Sequence, residues 1–179
     1  MGMTTHANGS GWMNVDELKS ALWDAANTLR GSAVDRTDWK GYILPLLFFK
    51  RISDVWDEET SEAQETFGEA DPSLFPEVHR FVVPDGCHWD DVRETATNVG
   101  AALQRAMREI ERANPDTLFR VFGAADWSNK EKFSDELLKD LIEGFTEVQL
   151  GNASVGTDVL GDAYEYLRPC VIRSSWEVQ

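Results

Sequence analysis

Few residues of this sequence have the types and spacing that a catalytic or metal-binding site requires. The histidines His6, His79 and His88 share no spacing typical of metal ligands. Residues 156–162 have the glycine spacing of a phosphate-binding loop, but Asp162 stands where that loop carries its lysine and would repel a phosphate. A loop before a capped helix explains these glycines better. We therefore predict no catalytic residue and no metal site in this chain.

Three cations are candidates for contact with DNA or with a partner protein, namely Lys40, Lys50 and Arg51. Lys50 and Arg51 close an apolar run, and positions 40 and 51 are about three helical turns apart, so the three can share a face of a continuous helix. The alternative is that Lys50 and Arg51 pair with Asp54, which lies within helical reach of both.

A second group of cations, Arg105, Arg108 and Arg112, lies near one stripe of a predicted helix. Glu109 and Glu111 are interleaved with them, and Arg105 and Glu109 have the i, i+4 spacing of an ion pair. A solvated, salt-bridged surface explains this stripe better than a phosphate-binding face does.

The composition is that of a globular protein with an unusually acidic balance. The chain has 179 residues, 42% of them apolar, and a net charge of −15. This charge argues against tight DNA binding by the isolated chain, because cationic contacts to phosphates supply most of that affinity. The two cysteines form no disulfide framework, which fits a reducing cytoplasm. The longest apolar run, Tyr42 to Phe49, is too short to span a bilayer, so we expect a cytoplasmic protein without membrane contact.

The first two predicted helices follow from apolar residues that recur with helical spacing. The first covers Val15–Arg30 and ends at Gly31. The second begins near Trp39, after a cap at Thr37 or Asp38, and continues into an acidic stretch of residues 57–65. Pro45 predicts a kink or a late start of this helix, and a strand over residues 42–49 is the competing interpretation.

Apolar spacing and helix caps in the second half of the chain predict further helices, which short breaks separate. One helix begins at residues 88–91. Another begins at about Val99 and ends at Asn114-Pro115. A third follows a cap at Ser134 and continues through Val148 to a stop at Gly151. The last covers residues 159–167, after a cap at Asp158.

The predicted fold is all-α, a compact bundle of about six helices with at most one short β-hairpin. The hairpin would use the extended residues 81–84 and the turn signal Asp85-Gly86. Six residues are predicted to lie in the core because they fall on apolar helix faces: Trp23, Tyr42, Leu46, Leu47, Leu141 and Phe145.

Several strings resemble the N-terminal helical domain of the DNA methyltransferase (modification) subunit of type I restriction–modification systems. Residues 22–31, LWDAANTLRG, resemble the first helix of that domain. Residues 39–54, WKGYILPLLFFKRISD, are similar to its second helix and are the most specific match, because few other families have an apolar run that closes in Lys-Arg-Ile-Ser-Asp.

Two later strings extend the resemblance over about residues 15–167. Residues 81–84, FVVP, followed by Trp89, are similar to the turn region of the family. Residues 158–167, DVLGDAYEYL, resemble the segment that joins this domain to the catalytic domain. Residues 168–179 do not resemble the family, as a truncation or a frameshift would produce, and we interpret residues 1–14 as a disordered leader.

The resemblance implies a parent protein that methylates adenine N6 in DNA with S-adenosylmethionine, in a complex with a specificity subunit and a second modification subunit. The helical domain would contribute to complex assembly and to clamping DNA. The alternative is a stand-alone protein-interaction adaptor without a DNA role.

The chemical elements of the methyltransfer reaction are missing from this chain. The nearest string to the Asn-Pro-Pro-aromatic loop of adenine methyltransferases is Asn114-Pro115-Asp116-Thr117, which lacks the second proline and the aromatic residue. No glycine-rich turn for S-adenosylmethionine is present either. We therefore interpret the string as a helix terminator, and we expect the catalytic domain to be absent and no cofactor to bind to this chain.

Overall fold

A computed structural model of the protein describes residues 15–68 and 76–152. These residues contain five α-helices and no β-strand, so the all-α class is confirmed. The helices are α1 (Val15–Arg30), α2 (Trp39–Phe67), α3 (Trp89–Arg93), α4 (Val99–Ala113) and α5 (Asp135–Thr146), with short 3-10 helices at Arg36–Asp38 and Pro76–Val78. The leader of residues 1–14, the phosphate-loop-like string and the helix at 159–167 lie outside the described residues.

Helix α1 has the bounds that its sequence predicts, and its apolar stripe is buried. One prediction for it is wrong, because the side chain of Trp23 is 46% exposed. Trp23 follows Leu22, which is fully buried, and a step of one residue turns a helix by about 100°. Trp23 therefore faces outward, where the guanidinium of Arg30 lies 5.8 Å from the centre of its ring.

Helix α2 is the central helix of the fold. It begins at Trp39, after a 3-10 turn in which the carboxylate of Asp35 accepts the N–H of Thr37. Of the two alternatives predicted from Pro45, a kink or a late start, the late start is therefore excluded. Residues 42–49 are helical, which also excludes the strand interpretation, and Pro45 is buried inside the helix. The acidic stretch belongs to the same helix, which ends at Phe67.

An extended segment and a turn precede α3. The turn at Asp85-Gly86 is confirmed: Gly86 has a φ of 76°, and the N–H of Cys87 donates to the carbonyl of Pro84 over 3.0 Å. Residues 81–84 are not a strand. Asn114 holds them instead, because its side-chain amide donates to the carbonyl of Val82 and accepts the N–H of Val82, each over 2.8 Å.

Helix α5 begins as predicted, since the hydroxyl of Ser134 accepts the N–H of Leu137 over 3.1 Å. Its predicted end is wrong, because the helix stops at Thr146 and not at Gly151. After Thr146, the N–H of Val148 still donates to the carbonyl of Phe145, but the carbonyl of Val148 and the N–H of Leu150 form hydrogen bonds with side chains of α2.

One apolar core joins α1, α2, α4 and α5, and it includes α3 and the aromatic residues of the loops. Five of the six predicted core residues are buried in it: Tyr42, Leu46, Leu47, Leu141 and Phe145. The ring of Tyr42 meets those of Trp127 and Phe133 edge to face, at 5.4 Å and 4.8 Å. None of the helices in the described residues combines the length and the apolar character needed to cross a membrane.

Candidate functional site

Lys50 lies in the interior and not on the surface. Its side chain is almost fully buried, and its ammonium donates to both carboxylate oxygens of Asp54, one helical turn further along α2, over 2.5 and 2.6 Å. The same ammonium donates to the backbone carbonyl of Val148 over 2.8 Å. The structure thus shows the intramolecular pairing with Asp54 that the sequence offered as the alternative, and a DNA contact by Lys50 stays a prediction.

Arg51 contacts the same segment of chain. Its guanidinium donates to the carbonyl of Leu150 and, over 2.7 Å, to the side-chain oxygen of Asn152. Asp54 completes the set, since its carboxylate also accepts the N–H of Leu150 over 2.8 Å. We call Lys50, Arg51 and Asp54 the clasp, because together they hold residues 148–152 against α2.

The remaining polar residue of the Lys-Arg-Ile-Ser-Asp string has a structural role of its own. The buried hydroxyl of Ser53 accepts the N–H of Trp89 at the start of α3, over 3.0 Å. Ile52 is buried in the core. Every residue of the string therefore contacts another part of the chain, so the string is explained by folding.

Burial governs the electrostatics of the clasp. Burial raises the pKa of the Asp54 carboxyl, while the charge of Lys50 and the hydrogen bonds from Lys50 and Leu150 oppose that rise. Burial also lowers the pKa of the Arg51 guanidinium. A carboxylate and an ammonium that share one buried site are held together strongly, because each would otherwise be an uncompensated charge in a low dielectric.

An acidic cavity of about 460 Å³ adjoins the clasp. Asp54, Asp57, Glu58 and Asp90 contribute carboxyl groups to its wall, and burial raises the pKa of Asp57. Among the residues that the structure describes, no three His, Cys, Asp or Glu side chains are grouped as a metal site would require.

Two of the three histidines contact a tryptophan instead of each other. The imidazole of His79 stacks on Trp56 at 4.6 Å, and that of His88 meets the same ring at 4.4 Å and 65°. The Nε2 atom of His79 also lies 2.8 Å from the hydroxyl of Thr60. These contacts join the end of the loop after α2 to the start of α3.

The arginine stripe of α4 is salt-bridged, as the sequence indicates. Arg108 pairs with Glu111 at 3.2 Å, and Arg112 pairs with Glu109 at 2.6 Å. The predicted pair of Arg105 with Glu109 is not among the ion pairs of the described residues. Two of the three arginines of the stripe therefore form ion pairs with carboxylates of the same helix.

Lys40 lies at a second cavity, an open cleft of about 600 Å³ beside the first turns of α2. The opposite side of this cleft is formed by a loop that includes Arg120 and Val121. Phe119, which precedes Arg120 in the chain, is 75% exposed, and the guanidinium of Arg120 lies 5.6 Å from the centre of its ring. The structure brings Lys40 near Arg120, and it does not bring Lys40 into the clasp.

The sequence did not single out Phe119 or Arg120. They lie between α4 and α5 in a series of turns, where no helical period assigns an apolar residue to a face. Arg120 also has a φ of 55°, a left-handed conformation that a non-glycine residue rarely adopts. The only available signal was an aromatic residue next to an arginine in a segment rich in turn residues.

Comparison with known proteins is consistent with this architecture. A family model described as the HsdM N-terminal domain matches residues 18–145. In a 173-residue alignment, the chain is 22% identical to the type I restriction enzyme MjaIX methylase subunit of Methanocaldococcus jannaschii. That alignment covers 84% of this chain and 30% of the relative, so the chain spans less than a third of the relative's length. The matched residues extend from α1 to the last turn of α5 and include the clasp.

Proposed function

Because this chain belongs to the HsdM N-terminal domain family, we propose that it contributes to the assembly of a type I modification complex and to clamping that complex on DNA. The family match over residues 18–145 is the observation that carries the proposal. The partners would be a specificity subunit and a second modification subunit. Adenine N6 methylation and S-adenosylmethionine binding would belong to the catalytic domain of the parent protein and not to this chain.

The clasp supports a role in assembly by its position in the chain. The family match ends at residue 145, and the clasp holds residues 148–152. Buried charge-assisted hydrogen bonds at this border fix the direction in which the chain leaves the helical domain. A fixed direction of the chain at residue 152 would limit the positions available to the parts of the parent protein that follow it.

The charge of the chain sets the conditions for DNA contact. A net charge of −15 repels the polyanion, so we propose that this domain contacts DNA only when other parts of the complex hold the duplex nearby. Lys40, Lys50 and Arg51 remain the candidate contacts. Lys40 lies at the surface cleft, whereas Lys50 and Arg51 bond to the backbone of residues 148–150.

An assembly experiment tests the proposal. The chain is mixed with the specificity subunit and the catalytic part of a type I modification subunit, and the complex is followed by native mass spectrometry and by mobility shift of duplex DNA. We expect association with the subunits, weak DNA binding by the chain alone, and a flat calorimetric titration with S-adenosylmethionine. Failure to associate, or saturable micromolar binding of the cofactor, would contradict the proposal.

The exposed aromatic residues favour the second candidate function, a protein-interaction adaptor without a DNA role. Trp23 and Phe119 both present large apolar surfaces outside the core. The same experiment separates the two functions. An adaptor would associate with protein subunits and leave the DNA affinity of the complex unchanged, whereas a clamping domain would raise it.

A further inference from the structure

We propose that the cleft between the start of α2 and the loop of residues 119–125 binds a protein segment with an apolar side chain next to a carboxylate. The inference rests on the proposed assembly function and gives that function a surface and a partner chemistry. The cleft is distinct from the clasp, and nothing in the folding of the described residues requires it to remain open.

The cleft has the size and lining of a binding site for a side chain. Its volume is about 600 Å³, within the range of ligand pockets, and its α2 wall includes Leu44, Pro45 and Phe48. The facing loop contributes Val121 and Ala125. An apolar side chain that enters this cleft loses contact with water on two sides, which is the main source of affinity at protein interfaces.

The rim of the cleft determines the charge of the partner. Arg120 and Lys40 contribute two cations to the lining and Asp38 contributes one carboxylate, so its formal charge is positive in a chain whose 32 acidic residues outnumber its 17 basic residues. A guanidinium at the edge of an apolar cleft can donate two parallel hydrogen bonds to a carboxylate. Charge complementarity therefore favours an acidic residue beside the apolar anchor.

Arg120 lines the cleft, and its guanidinium lies over the exposed ring of Phe119, the residue before it in the chain. Phe119 is the most exposed of the large hydrophobic side chains in the described part of the chain. Arg120 is held in a left-handed conformation, a form of backbone strain that is concentrated at functional sites. Aromatic residues and arginine are also the residue types enriched in protein interfaces.

The lining favours a protein over a nucleic acid. A DNA backbone gains its affinity from cations that neutralise successive phosphates, and an apolar floor adds nothing to that. A polypeptide, by contrast, can satisfy both the apolar wall and the guanidinium.

Selection from a random peptide library tests the proposal with the chain as it exists. The probe is a displayed library of 12-residue peptides, selected on the chain and counter-selected on the Ala124→Trp variant. Ala124 is an exposed residue of the cleft, so a tryptophan there would fill the cleft without entering the core. We expect the enriched peptides to carry an apolar residue next to Asp or Glu.

Matched variants then locate the peptide site. We expect Ala124→Trp and Arg120→Glu each to weaken binding of a selected peptide at least about tenfold, which corresponds to ~1.4 kcal/mol. Ala101→Trp, at an exposed site on α4, is the control for bulk. Arg30→Glu, at another exposed arginine that lies over an aromatic ring, is the control for charge. Both controls should bind as the wild type does.

Three results would overturn the proposal. One is that no peptide is enriched over the Ala124→Trp background, and another is that the selected peptides bind all four variants equally. The third is that a 20-base-pair duplex displaces the peptides at stoichiometric concentration, which would assign the cleft to DNA. Failure of the assembly function is recognised separately, because the chain would then not associate with the specificity subunit even if its cleft bound peptides.

Discussion

The carboxylate of Asp54 lies one helical turn beyond the ammonium of Lys50, and both groups bond to the same distant strip of backbone. Lys50 donates to the carbonyl of Val148, and Asp54 accepts the N–H of Leu150. The ion pair thus links two of the hydrogen bonds that hold residues 148–150 on α2. Loss of either charge removes a contact and leaves the other charge buried.

We predict that Lys50→Met destabilises the protein strongly. Removal of one partner of a buried pair typically costs about 3–5 kcal/mol, because the remaining charge is uncompensated. The measurement is the free energy of unfolding from urea titration. The double variant Lys50→Met/Asp54→Leu should recover a large part of the loss, since it removes both charges.

An exposed ion pair provides the control for this prediction. Arg112 pairs with Glu109 on the surface of α4, and its side chain is 74% exposed. Arg112→Met should therefore cost less than about 1 kcal/mol. If Lys50→Met costs no more than Arg112→Met, then water reaches the clasp and the ion pair does not hold residues 148–150.

The pH dependence of stability should report on Asp135. The N–H groups of Val99 and Asn98 donate to its carboxylate over 2.9 and 3.0 Å, and they hold the pKa of Asp135 below its usual range. A carboxyl whose pKa is lowered in the folded state stabilises the protein at pH values above the pKa of aspartate in the unfolded chain, about 3.9. That stabilisation is lost as the pH falls through the lower pKa of the folded state.

The test is the melting temperature of Asp135→Asn against that of the wild type from pH 7 to pH 2. The variant should melt at a lower temperature at pH 7. The difference should narrow below about pH 4, where the wild-type carboxyl becomes neutral and resembles the amide. A difference that is constant over the whole range would show that the charge of Asp135 does not contribute.

The sequence predicted those parts of the fold whose signals are local. The bounds of α1 follow from an apolar period and a glycine, and the start of α5 follows from the cap at Ser134. The end of α5 could not be predicted, because it depends on side chains nearly a hundred residues away: Lys50 donates to the carbonyl of Val148, and Asp54 accepts the N–H of Leu150. At the end of α5, these tertiary contacts determine where the helix stops, and the helical spacing of apolar residues does not.

Less of the candidate site than of the fold could be predicted from the sequence, because the site too depends on contacts between distant segments. The string that ends at Asp54 was visible as a specific pattern, but a pattern does not say whether a lysine faces solvent or the interior. The pairing of Lys50 with Asp54 needed only helical spacing and could be proposed. The cleft at Arg120 depends on a left-handed residue and on two segments distant in sequence, and no period or spacing indicates it.

Two helical glycines should respond in opposite ways to the same substitution. A Cβ atom at Gly100 in α4 would lie 1.9 Å from the carbonyl oxygen of Trp127, whereas one at Gly144 in α5 would meet nothing within 4 Å. We predict that Gly100→Ala destabilises the protein by about 1–3 kcal/mol, the usual cost of overpacking. Gly144→Ala should stabilise it by up to about 1 kcal/mol through helix propensity. Equal effects in urea titrations would show that α4 can move away from Trp127.

Asn114 should prove to be the residue that anchors the extended segment before α3. Its buried amide donates to the carbonyl of Val82 and accepts the N–H of Val82, and it also donates to the carbonyl of Ile110. Substitution by leucine, which is similar in volume, removes all three bonds and leaves the backbone groups of Val82 without these partners. A fully buried group left unsatisfied costs about 1–3 kcal/mol, and the groups of Val82 are partly buried, so Asn114→Leu should be destabilising by less than that for each group.

Hydrogen exchange distinguishes a local effect of Asn114→Leu from a global one. In the variant, the amide of Val82 should exchange faster than the loss of global stability explains, because its acceptor is gone. The amide of Leu138, which donates to the carbonyl of Ser134 at the start of α5, is the internal reference. If the two amides accelerate by the same factor, Asn114 stabilises the whole domain and does not specifically anchor residues 81–84.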